Sequence, residues 1–113
     1  MTLSVKQKLM DTVLSWPGVT SAPHRFGGTA FLAGGREIGH LHGEHHLDLP
    51  FPKPVRDELV ASGCARPHHI LPKSGWVTVY VHTEQELANA IALLRMKYEQ
   101  LTLKASKTSK TKP

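Results

Sequence analysis

Cysteine is nearly missing from this chain: Cys64 stands alone among 113 residues. No intramolecular disulfide can form, and an oxidising compartment is not required. Long apolar runs are missing too. Nothing approaches the roughly 20 consecutive apolar residues that span a bilayer. The first ten residues, with Lys6 and Lys8, lack the apolar stretch of a secretory leader. A cytoplasmic protein without a membrane partner is the expectation. No glycine-rich phosphate loop exists: Gly27-Gly28, Gly34-Gly35, Gly39 and Gly43 fit neither the dinucleotide fingerprint nor the nucleotide-binding loop, and read as turns. A nucleophile is equally hard to find. Ser74 has no Gly-x-Ser-x-Gly around it and reads as a turn residue. Cys64 follows Gly63 at a predicted helix end, where the dipole raises a thiol pKa, and reads as a half-buried filler. The balance leans away from an enzyme.

Acidic residues are absent after Glu99. Lys104, Lys107, Lys110 and Lys112 carry four of the fourteen Lys/Arg, so residues 1–103 hold ten against nine Asp/Glu. Four of the five net positive charges therefore belong to the tail, not to a basic binding surface. Nucleic-acid binding is expected to go no further than weak tail electrostatics.

What is present describes one folded domain. Apolar residues make up 40% and charged residues 20%, the balance of a globular chain. Val5, Leu9, Val13 and Trp16 form a helical stripe over Leu3–Trp16, with Ser4 and Gln7 as a capping box and Pro17-Gly18 as the stop. Short β-prone runs follow. Gly34-Gly35 makes a two-residue hairpin between 29–33 and 36–42, and Gly43-Glu44 turns the chain into 45–49. Pro54 opens a helix that Gly63 ends. Residues 66–74 read as a loop. Trp76–His82 alternates as a strand, and Thr83 with Glu86 caps a helix carrying Leu87, Ile91, Leu94, Tyr98 and Leu101. The expected fold is α+β, a two-layer sandwich in the order α-β-β-β-α-β-α, with an antiparallel sheet of four to five strands. Residues 1–103 are the domain and 104–113 a disordered basic tail.

Alternation locates a candidate site. If Val77, Val79, Val81, Leu47 and Leu49 face the helices, then Trp76, Thr78, Tyr80, His82, His46 and Asp48 face away. Seven of the eight histidines lie between His40 and His82. His40 and His42, two apart on a strand, project from one face at a metal-ready spacing, with Asp48 or Glu44 as a further ligand or orienter. Zinc or a similar divalent ion is the cofactor this pattern allows. Ordinary hydrogen-bonded strand histidines are the alternative, and they carry more weight. The cupin pattern lacks its glutamate and its second half, His-Glu-x-x-His is absent, and His42-Gly43-Glu44-His45 falls one residue short of His-x-x-Glu-His.

Three stretches carry a family resemblance: Gly35-Arg-Glu-Ile-Gly-His-Leu-His-Gly43, Leu47-Asp-Leu-Pro-Phe-Pro-Lys-Pro-Val-Arg-Asp-Glu-Leu59, and Arg66-Pro-His-His-Ile-Leu-Pro-Lys-Ser-Gly-Trp-Val77. Together they resemble the small bacterial and fungal "luciferase domain" family of unknown function, from about Trp16 to Leu101. The resemblance implies a candidate ligand site of His40, His42, Asp48, Arg56, His68, His69 and Trp76, to which alternation adds Tyr80. It implies no light-emitting chemistry, since nothing here resembles a flavin, coelenterazine or adenylating luciferase site. The element order is also similar to the MmcQ/YjbR-like family, some members of which are described as DNA-binding. The favoured expectation is a module that binds a small molecule or a protein partner, with a homodimer allowed. The alternative is a metal-dependent or general acid-base enzyme built on the histidines.

Overall fold

A computed structural model describes residues 3–24, 27–68 and 70–110. Helix α1 (Val5–Leu14) leads into strands β1 (Val19–Pro23), β2 (Thr29–Ala33), β3 (Arg36–His42) and β4 (His46–Pro50). Helix α2 (Lys53–Ala61), strands β5 (Arg66–Pro67) and β6 (Trp76–Tyr80), and helix α3 (Glu84–Lys110) follow. The six strands form one sheet in the order β1-β2-β3-β4-β6-β5, with every neighbouring pair antiparallel. The fold is α+β as expected. Its sheet has one or two strands more than expected: β1 precedes the three strands of the expected order, and β5 pairs within the stretch read as loop.

Local chemistry fixes most boundaries. Gly34 and Gly35 both have positive φ, +59° and +82°, which a two-residue hairpin turn requires. The Thr83–Glu86 box closes fully: Glu86 N–H donates to Thr83 Oγ1 at 3.0 Å, and Glu86 Oε1 accepts from the backbone N–H of Thr83 at 3.3 Å and of His82 at 2.8 Å. The first helix makes only half of its box. Ser4 Oγ accepts from Gln7 N–H, but the Gln7 amide turns to Asp11. The helical backbone of α3 continues through 104–110, the stretch that composition assigns to a tail.

One sheet face is the core. Phe31, Ile38, Leu47, Leu49, Val77 and Val81 are fully buried, beneath Leu9 and Val13 of α1 and Leu87, Ala90 and Leu94 of α3. Tyr98 Oη donates to Pro17 O at 2.6 Å, which ties α3 to the turn after α1. Gly39 is not a turn residue but lies inside β3. A Cβ there would sit 3.0 Å from Leu94 Cδ2 and 3.1 Å from Asp48 O, so the missing side chain lets α3 lie close against the sheet. Among the described residues, no helix is long and apolar enough to cross a membrane.

Candidate functional site

Antiparallel pairing places directly opposite residues on the same face. The ladder aligns Ala30, His40, Asp48, Thr78 and Arg66 across β2, β3, β4, β6 and β5, and a second row aligns His42, His46 and Tyr80. Both rows lie on the face opposite the helices. The alternation inferred from the valines and leucines therefore matches the sheet.

Asp48 is the centre of this face and has no exposed surface. Its Oδ1 accepts from Thr78 Oγ1 at 2.7 Å and meets His46 Nε2 at 3.0 Å. Its Oδ2 faces three Nε2 atoms, those of His42 at 3.2 Å, His40 at 3.3 Å and His68 at 3.4 Å. All three are ion-pair contacts at the long end of hydrogen-bond distance. Four imidazoles thus gather around one carboxylate. Trp76 walls the group, its ring centroid 5.2 Å from that of His40 and 6.2 Å from that of His68.

A β-bulge adds a partner. The β2–β3 register passes from Phe31↔Gly39 to Leu32↔Glu37, so Ile38 is an extra residue in β3. The extra residue shifts parity and brings Glu37 to the same face as His40, three positions away. There Glu37 Oε2 meets His40 Nδ1 at 2.6 Å. His40 is held between two carboxylates.

The electrostatics follow from this packing. Burial alone would lower the His40 pKa, but the Asp48 and Glu37 carboxylates override it and raise it to about 9. Burial would raise that of Asp48. Its contacts with His40 and Thr78 and the nearby His46 and His68 instead hold it well below the usual carboxylate range. His42 is lowered, first by burial and then by its neighbour His40, although Asp48 pulls the other way.

His68 Nδ1 accepts from the backbone N–H groups of Ile70 and Leu71 at 3.1 and 3.0 Å. In the neutral ring the proton then sits on Nε2, facing Asp48. His24, at the end of β1, stacks on His40 with centroids 4.0 Å apart, and its Nδ1 is buried without a hydrogen-bond partner.

The expected residues divide clearly. His40, His42, Asp48, His68 and Trp76 converge, and Tyr80 meets the group edge-on through His46 at 5.5 Å. Arg56 turns elsewhere: it donates to Asp57 and to the carbonyl of Pro72, and so holds the turn at Pro72 against α2. His69 lies outside the described residues. Cys64 is exposed rather than half-buried. Ser74 is a turn residue, donating to Leu71 O and accepting from Trp76 N–H. Sequence reasoning missed His24 and Glu37 as members. Period-2 alternation could have flagged Glu37 only if the bulge were known.

At the β5–β6 edge, beside the start of α3, lies a cleft of about 410 Å³, whose lining includes Arg66, Thr78, Tyr80, Glu86 and Asn89. Thr78 and Tyr80 are common to the cleft and the imidazole face. The Arg66 guanidinium lies 5.3 Å from the Tyr80 ring centroid.

Comparison with known proteins gives one informative result. No curated protein and no solved structure matches the chain significantly. The MmcQ/YjbR-like resemblance gains nothing from these comparisons. Residues 35–97 match the family model of the Luciferase domain, and that stretch contains Glu37, His40, His42, His46, Asp48, His68 and Trp76. It covers more than half of the 113 residues, and the chain belongs to the Luciferase-domain family.

Proposed function

We propose that this Luciferase-domain protein is a small-molecule binding module whose ligand is an aromatic acid seated at the β5–β6 edge. One observation carries the reading: a ligand-sized cleft of about 410 Å³ shares Thr78 and Tyr80 with the imidazole face around Asp48. Tyr80 offers a ring surface, and Arg66 offers a fork of donors that matches a carboxylate. Thr78, buried in the cleft wall, donates its hydroxyl to Asp48.

The test uses benzoate and naphthoate as probes, followed by amide NMR with a chelator present. Saturable shifts confined to Ala65–Arg66, Thr78–Tyr80 and Asn89, and lost in Arg66→Ala, are the expected result. Shifts centred on the small apolar hollow of Phe51, Val55 and Met96, or no saturable binding, would overturn the reading.

A further inference from the structure

A buried polar atom without a partner costs about 1–3 kcal/mol, so one beside a cluster of imidazoles requires a cause. His24 Nδ1 is such an atom, and Asp48 Oδ2 nearby meets only ring nitrogens, at 3.2–3.4 Å. His24 and Asp48 flank His40: His24 stacks on its ring, and Asp48 lies across the strand pair.

We propose that His24, His40 and His42 bind a divalent first-row transition-metal ion of the zinc type, with Asp48 Oδ2 as the fourth ligand. The three histidines each offer a ring nitrogen, all within 4.8 Å of one another. A tetrahedral shell with bonds of about 2.0–2.1 Å has ligand-to-ligand edges of roughly 3.3 Å. The Oδ2 atom already lies 3.2 Å from His42 Nε2 and 3.3 Å from His40 Nε2.

The surrounding contacts sort ligands from supports. Glu37 binds His40 through Nδ1 and leaves Nε2 directed at the site, the carboxylate–histidine pairing that orients metal ligands. Thr78 and His46 occupy Asp48 Oδ1 and leave Oδ2 for the ion. His68 is a support as well. Its Nδ1 is engaged by two backbone donors, so its Nε2 carries the proton and cannot ligate. A nitrogen-rich set with one carboxylate suits zinc and its neighbours rather than calcium or magnesium.

The metal and the aromatic acid occupy different parts of the face, and their tests are separable. Tag-free full-length protein is stripped with a chelator, then titrated with zinc and with cobalt by calorimetry. One ion per chain is expected, and zinc should shift the ring resonances of His24, His40 and His42 together. Glu37→Gln should weaken binding by about 10–100-fold. His42→Ala should weaken it further, and His82→Ala should leave it unchanged, with circular dichroism reporting the fold of each. Absence of a saturable ion overturns the proposal. So does wild-type affinity in Glu37→Gln and His42→Ala together, or zinc shifts confined to the stacked His45–His82 pair. Should a variant fail to fold, the wild-type ring shifts still decide. Zinc uptake without benzoate binding would leave this site standing and remove the cleft reading; the opposite pattern would do the reverse.

Discussion

Replacing Asp48 by Asn keeps the shape of the side chain and removes the charge on which the second sheet face is organised. The amide cannot fit in either orientation. With its NH2 group at the Oδ2 position, it faces three Nε2 atoms at 3.2–3.4 Å, and that of His68 already carries a proton. With the NH2 group at the Oδ1 position, it takes the place of the acceptor used by Thr78 and His46. His40 would then keep only Glu37 as a counter-charge. Removing one partner of a buried charge cluster costs about 3–5 kcal/mol, and Glu37 pulls the expectation towards the lower end. Against a total stability of about 5–15 kcal/mol this is a large fraction. At about 4–8 °C per kcal/mol, the midpoint should fall by more than roughly 10 °C. Urea and thermal unfolding of chelated wild type and Asp48→Asn, both at pH 6, measure it. A loss under about 1 kcal/mol would refute the reasoning, because the carboxylate would then not be holding the imidazoles in place.

Other expectations follow from the same contacts. Thr78→Val removes the 2.7 Å hydroxyl bond to Asp48 and should cost about 1.5–3 kcal/mol in urea unfolding; a neutral result would deny Asp48 its ionised, hydrogen-bonded state. Gly39→Ala forces Leu94 and the β4 backbone apart and should cost about 1–3 kcal/mol, whereas a stabilised variant would mean that α3 does not lie this close. Thr83→Ala opens the capping box and should cost about 1 kcal/mol, a value that Glu86→Ala should approach. In chelated protein, stability should peak near pH 6.5. His40 is raised to about 9, so its contribution is complete below 6.5 and is lost as pH rises through 9. His42 and Asp48 are lowered, so theirs are lost as pH falls below 6.5 and below 3.8 respectively. Urea midpoints that rise steadily from pH 6.5 to 9 would contradict this.

The parts of the fold that the sequence disclosed are those where one periodicity acts alone. Val77, Val79, Leu47 and Leu49 lie on regular ladder positions, so their alternation with Trp76, Thr78, Tyr80, His46 and Asp48 determined which face each side chain takes. Glu37 escaped because Ile38 bulges, and a one-residue insertion reverses every parity argument beyond it. His24 escaped because β1 is an edge strand of mostly exposed residues without an apolar rhythm to read. Strand β5 is only two residues long and includes Pro67, too little for any pattern. Gly39 reads as a turn residue from sequence because a close helix approach and a turn both call for glycine, and only the partner across the gap tells them apart. Arg56 lies in the matching stretches as a charged residue, yet its role is to clamp a loop.

The central claim is that one ionised carboxylate gathers imidazoles from three separate segments of the chain, and ring-nitrogen NMR of the histidines tests it most directly. In chelated protein at pH 7, His40 should be an imidazolium and His68 should carry its proton on Nε2. Asp48→Asn should move the ring signals of His40, His42, His46 and His68 together while leaving His45 nearly still. Signals that move singly, or a His40 ring already neutral at pH 7, would contradict the account.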